Sequence, residues 1–152
     1  MLLIGADHGG FKLKERIKKY LSQKNIPFED VGTNNEESCD YPDFAVSVAK
    51  RISEGKAEKG ILICGTGIGM SITANKFPGV RATLCHNSFT AKMSREHNNS
   101  NILVLGERDI DEETALEITK IWLETPFAGD RHQRRLDKIK AIEEELYKNY
   151  NK

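Results

Sequence analysis

Apolar and polar positions along the chain fall into two alternating rhythms. Five short runs, LLIGA (2–6), PFEDVG (27–32), GILIC (60–64), RATLC (81–85) and NILVLG (101–106), have the length and bounding residues of strands. GILIC and NILVLG are apolar at nearly every position, as strands covered on both faces should be. Between the runs the apolar residues recur at helical spacing. Leu13, Ile17, Tyr20 and Leu21 fall at i, i+4, i+7 and i+8, which is one helix face. Phe44, Val48, Ala49 and Ile52 repeat the pattern over 43–53, and Pro42 suits its first turn. Asn87 reads as the cap of a helix over 88–96. Asp111 reads as the cap of another, with Leu116, Thr119, Trp122 and Leu123 as its buried stripe. A last helix, about 130–148, carries Leu136, Ile139, Ile142 and Leu146.

Strands that alternate with helices predict βαβ units. The expected fold is α/β: a single-domain three-layer αβα sandwich with a five-stranded parallel, Rossmann-like sheet and a C-terminal helix. The 152 residues suit one domain spanning the whole chain, 1–152. In such a fold ligands lie beyond the carboxyl ends of the strands, near the switch in strand order. That rule selects GADHGG after the first strand, CGTGIG after the third and the loop after the fifth.

Charge and composition narrow the function. Lys plus Arg total 23 and Asp plus Glu total 23, a balance that argues against nonspecific binding to nucleic acid or membrane surfaces. No apolar run approaches the roughly 20 residues of a membrane span. MLLIGADHGG lacks the basic start and long apolar segment of a signal peptide. The three cysteines are an odd number without CxxC spacing, so neither a disulfide framework nor a zinc site is expected. A reducing, cytoplasmic setting fits these features.

The glycine loop invites a nucleotide reading and then resists it. Its pattern is Gly65-x-Gly67-x-Gly69, not GxGxxG, and LCHNS offers no carboxylate for a ribose. Met70 and Ser71 follow where a Walker lysine would stand. The backbone N–H groups of such a loop, with a helix expected to start near Ser71, still make a nest for phosphate or for an oxyanion formed in a reaction. That field favours thiolate over thiol at Cys64, although a cysteine at a strand end can be a plain core residue. Cys39 and Cys85 are read as such.

Asp7 and His8 stand at the tip of the first strand, on the same edge as Cys64. His97 and Asn98 end a helix before the fifth strand, where they can also serve only as dipole partner and stop. Arg131 and Arg135, at i and i+4, stack two guanidinium groups at the start of the last helix. Cations there oppose the macrodipole, which favours a phosphate clamp over helix stability. Arg108, after the fifth strand, is a further phosphate contact. Together these groups suit proton transfer beside a carbonyl: Cys64 takes the proton, and the nest holds the enediolate.

GADHGGFKLK, DYPDFA, CGTGIGMSI, REHNN, LGER and GDRHQRRL occur in that order over essentially the whole chain. In this set the chain resembles the B-type ribose-5-phosphate isomerases, a family that includes galactose-6-phosphate isomerase subunits and allose-6-phosphate isomerase. The resemblance implies interconversion of an aldose phosphate and its ketose without metal or organic cofactor. It implies Cys64 as base and the loop Gly65, Gly67, Ile68 and Gly69 as enediolate holder, assisted by the Thr66 hydroxyl. His97 would donate the proton that opens the sugar ring, with Asn98 beside it. Asp7, His8 and Tyr41 would bind the sugar, and phosphate would lie among His8, Arg108, Arg131 and Arg135. The family further implies a homodimer or a tetramer of dimers, with sites shared across the dimer interface and His97, Asn98 and Arg108 supplied by the neighbour. The C-terminal helix would serve both the phosphate site and the oligomer contacts. Alternatives are an isomerase of hexose 6-phosphates (allose or galactose type), a noncatalytic sugar-phosphate-binding subunit and, from another class, a flavodoxin-like nucleotide module.

Overall fold

The structure, a computed structural model, describes residues 1–150. Five strands, β1 (Leu2–Ala6), β2 (Phe28–Asp30), β3 (Lys59–Cys64), β4 (Ala82–Leu84) and β5 (Ile102–Gly106), form one parallel sheet in the order β2-β1-β3-β5-β4. The helices are α1 (Phe11–Gln23), α2 (Tyr41–Ser53), α3 (Ile68–Ala74), α4 (Ser88–Glu96), α5 (Glu112–Glu124) and α6 (Arg131–Tyr150). This is the expected α/β sandwich.

Alternation along the strands builds two cores, because successive side chains leave opposite faces. Ile61, Ile63, Leu103 and Leu105 join Ile17, Leu21, Ile118 and Trp122 on one face. Leu62, Cys64, Ile102 and Val104 join Val48, Ala49, Met70 and Ala74 on the other. Each Ile or Leu so buried stabilises by about 1.5–3 kcal/mol. Cys64 therefore belongs to the α2/α3 face.

Some boundaries differ from expectation for physical reasons. β2 keeps three of the six expected residues, none of the six being more than partly covered, since an edge strand has a single partner. The buried stripe of α5 is Ala115, Ile118, Thr119 and Trp122, with Leu116 and Leu123 only partly covered. Asp111 and Asn87 cap their helices as expected, Asn87 in a reciprocal box with Thr90. On α6 the apolar positions stay open to solvent: Ile139, Ile142 and Leu146 are 47%, 58% and 54% exposed.

All five strands end on one edge, which collects Ala6, Asp30, Cys64, Leu84 and Gly106. Between β1 and β3 the chain order reverses, with α1 on one face and α3 on the other. This is the crevice where α/β folds bind ligands.

Candidate active site

β3 ends at Cys64, and its Sγ accepts the Gly67 N–H at 3.2 Å. The turn depends on Gly67, whose φ of +79° is left-handed. A Cβ there would also lie 2.5 Å from Leu84 Cδ1, so only glycine fits. Gly67 is the N-cap, so α3 begins at Ile68, three residues before the expected start, and the loop is correspondingly tight. Cys64 is buried, only 5% exposed, at the end of β3 beside this crevice. Thr66 is exposed, and its Oγ1 accepts the Ile68 N–H at 3.3 Å.

The other strand ends close around this loop. Asp7 N–H donates to Ile63 O at 3.3 Å, and the buried Asp7 carboxylate accepts from Gly10 N at 3.2 Å, capping the 3₁₀ turn His8–Gly10. Gly9 packs on Gly65: a Cβ at Gly9 would lie 3.1 Å from Gly65 N. The Cys39 N–H donates to His8 Nδ1 at 3.2 Å. His8 is thereby held as the tautomer with its proton on Nε2, free to donate. The Tyr41 ring lies against Gly69, and the Arg108 guanidinium lies over Gly65. Glu107 and Arg108 N–H groups donate to Cys64 O and Gly65 O, each at 2.9 Å. Asp7, His8, Tyr41, Gly65 to Gly69 and Arg108 thus form one cluster with Cys64. Arg108 reaches the loop from its own chain, which removes it from the residues expected from a neighbour.

His97, Asn98, Arg131 and Arg135 are elsewhere. α4 returns from the carboxyl edge to the start of β5, so His97 and Asn98 stand at the opposite, amino edge. The His97 ring stacks on His132 of α6, centroids 4.1 Å apart and planes inclined by 16°. Arg131 and Arg135 leave the same first turns of α6, both exposed. His132 is buried; desolvation, and then the charges of His97, Arg131 and Arg135, hold its pKa below the ordinary value. Buried Arg95 braces this corner, donating to Ser100 O at 2.5 Å, Asn99 Oδ1 at 3.0 Å and Thr125 O at 3.1 Å. The edges are a strand length apart, about 16 Å for five residues, beyond side-chain reach. Within one chain the two clusters cannot meet.

Sequence reasoning missed His132, whose partner is distant along the chain, and Gly106, which is bare because Thr66 sits on it. It also misjudged Cys39, which is half-buried and holds His8 rather than filling a core. Cys85 is a core residue, its thiol pKa pushed up by burial. A concavity of about 730 Å³ between α6 and the 78–81 turn is on the amino edge, lined by Arg81, Asn99, Leu136 and Ile139 among others.

Known proteins with this arrangement define its class. The Ribose/Galactose Isomerase family model matches residues 2–139. The chain is 43% identical over 143 residues to ribose-5-phosphate isomerase B of Escherichia coli, covering 94% of this chain and 96% of that protein. The solved ribose-5-phosphate isomerase B of Clostridium thermocellum superposes with a TM-score of 0.93 at 49% identity, covering 95% of this chain and 98% of that one. The Mycoplasma genitalium enzyme, solved with bound ribulose-5-phosphate, gives 0.90 at 40% identity, covering 95% and 96%. The chain belongs to the Ribose/Galactose Isomerase family. It is an enzyme, an isomerase of the intramolecular oxidoreductase class.

Proposed function

We propose that this enzyme interconverts ribose 5-phosphate and ribulose 5-phosphate, with Cys64 as the carbon base. The observation that carries the reading is the Gly67 N–H donated to Cys64 Sγ at the mouth of a glycine loop. Cys64 takes the proton from C2 of the open-chain aldose. Loop N–H groups between Gly65 and Gly69, with the Thr66 hydroxyl, hold the enediolate oxygens, and the proton returns at C1. Losing one such donor typically raises the barrier by about 2.7–4 kcal/mol. No step calls for a metal or an organic cofactor. The Nε2–H of His8 and the Arg108 guanidinium face phosphate from one chain, while Asp7 and Tyr41 shape the sugar site.

His97, which opens the ring, Asn98 and the Arg131/Arg135 clamp come from a second copy. Two observations support this: the clusters stand on opposite sheet edges, and α6 leaves Ile139, Ile142 and Leu146 uncovered. The whole chain then acts as one isomerase domain within a homodimer or a tetramer of dimers, α6 serving both phosphate and assembly. A reducing cytoplasm suits its three free cysteines, and no helix among the described residues is long and apolar enough to cross a membrane.

The test is isomerisation of ribose 5-phosphate beside allose 6-phosphate and galactose 6-phosphate, with wild type and Cys64→Ala. Pentose turnover that vanishes in the variant is the expected result. A preference for a hexose phosphate would change the substrate and keep the base. Near-normal turnover in Cys64→Ala would remove the base, and turnover of none of the three would leave a noncatalytic binding subunit.

A further inference from the structure

Two groups that the mechanism above does not use face each other on the carboxyl edge. His86, two residues past β4, and Asp109, three residues past β5, meet with Nδ1 and Oδ2 2.5 Å apart. Neither is engaged in capping: Asn87 and Thr90 close the box of α4, and Asp111 caps α5.

Sheet register places the pair beside the glycine loop. Cys64 pairs with Gly106, and Leu84 pairs with Val104. The Cys85 N–H extends that second ladder by donating to Val104 O at 3.2 Å, so His86 comes level with Gly106. Cys64, Gly106 and His86 therefore form one row, about 10 Å across at the usual strand spacing. Cys64 and Leu84 pack on the α2/α3 face and Cys85 on the other, so alternation returns His86 to the face of Cys64. Thr66 is seated on Gly106 in the middle of the row; a Cβ on Gly106 would lie 2.6 Å from its carbonyl. The Asp109 N–H donates to Gly106 O at 3.1 Å, which ties the dyad to the same spot.

The hydrogen bonds fix complementary roles. The Asp109 carboxylate accepts from Nδ1, so Nε2 of neutral His86 carries the lone pair and is a base. His8 has the opposite tautomer and is a donor. Thr66 Oγ1 already accepts the Ile68 N–H, which leaves its hydroxyl hydrogen to be donated. An imidazole oriented by a carboxylate, one strand over from the Gly106 on which the Thr66 backbone is seated, is a general-base arrangement.

We propose that the His86–Asp109 dyad is a second acid–base pair of this site, relaying protons through the Thr66 hydroxyl between the two oxygens of the enediolate. The proposal rests on the reading of Cys64 as carbon base. After Cys64 has taken the C2 proton, charge rests on O1 while O2 keeps its hydrogen. A carbonyl at C2 requires O2 to lose that proton and O1 to gain one. O2–H passes its proton to Thr66 Oγ as Thr66 passes its own to His86 Nε2. The imidazolium, stabilised by Asp109, returns the proton by the same route to O1. One O–H bond breaks, one forms, and the dyad ends as it began. Asp109 is the charged group in contact with His86; Arg108 over Gly65 and Glu107, held by the Leu13 N–H, share its loop. The glycine loop and the first turn of α4 bring no charge, and Lys92 of the next turn pairs with Glu96.

The test is the pH dependence of kcat and KM with ribose 5-phosphate for wild type, His86→Gln, Asp109→Asn and Cys64→Ala. His86→Gln should lower kcat about 10²-fold, with KM within about twofold, and should abolish the acid limb of the kcat profile. Asp109→Asn, which disturbs the tautomer, should lower kcat with the limb displaced. An unchanged profile in His86→Gln, whatever its thermal stability, makes the pair a tie between two loops and overturns the proposal. If Cys64→Ala is inactive in that experiment, only the relay has failed; if it is active, the carbon base has failed with it.

Discussion

Gly67→Ala separates the strain of a backbone conformation from the chemistry it serves. Gly67 and Gly55 share a left-handed φ, +79° and +72°, but a Cβ at Gly55 meets nothing within 4 Å. At Gly67 it would meet Leu84 Cδ1 at 2.5 Å and the Leu105 carbonyl at 3.2 Å. The left-handed conformation costs an alanine about 1–2 kcal/mol, and overpacking adds about 1–3 kcal/mol. Gly55→Ala should therefore lose about 1–2 kcal/mol, and Gly67→Ala about 2–5 kcal/mol. At about 2–4 °C for each kcal/mol in a domain of this size, the two melting temperatures are readily resolved. The chemical consequence should be sharper. The Gly67 N–H aimed at Cys64 Sγ is displaced, so kcat should fall about 10²–10³-fold in Gly67→Ala and stay near wild type in Gly55→Ala. Urea unfolding and steady-state isomerisation of both variants are the assays. Equal destabilisation with full kcat in Gly67→Ala would refute the reasoning about this turn.

Other consequences are independent of that loop. Arg135→Ala should raise KM for the phosphorylated sugar with little change in kcat; an unchanged KM moves the clamp elsewhere. Ile142→Glu, on the uncovered stripe of α6, should shift sedimentation toward the monomer and lower activity with it, whereas an unaltered oligomer would place the interface on another face. His132 has a pKa held below the ordinary 6.5 by desolvation and neighbouring cations. The folded chain then binds fewer protons than the unfolded one, so this contribution is full above about pH 6.5 and is lost as pH falls from there through the lower folded-state value. His132→Phe, which keeps a ring on His97, should flatten the fall of thermal stability between pH 7 and 5, and an identical slope would exclude His132 as its source.

What was legible in the sequence was whatever a local pattern records. Continuous apolar runs marked the strands, and helical spacing marked α1, α2 and α5, because burial imposes those periods directly. A thiol at a strand end beside three glycines made Cys64 the candidate base, a role that the Cys64→Ala assay tests. The start of α3 was not legible, because Gly67 ends the loop by its backbone angle and has no capping side chain to announce it. The apolar period of α6 was plain, yet a period does not say which surface covers it. Long-range neighbours were beyond reach: His132 on His97, Cys39 on His8, Arg108 on its own chain's loop and Asp109 on His86. Each joins segments that only the assembled fold brings together.

The proposed sharing of the site between two copies is tested most directly by a mixing experiment. Cys64→Ala and His97→Ala chains, each inactive alone, are unfolded together, refolded in equal amounts and assayed with ribose 5-phosphate. If each site takes Cys64 from one copy and His97 from the other, half of the dimers are mixed and each of these has one intact site, giving about a quarter of wild-type activity. If each chain builds its own site, mixed dimers contain no intact site, and verified heterodimers without activity would contradict the account.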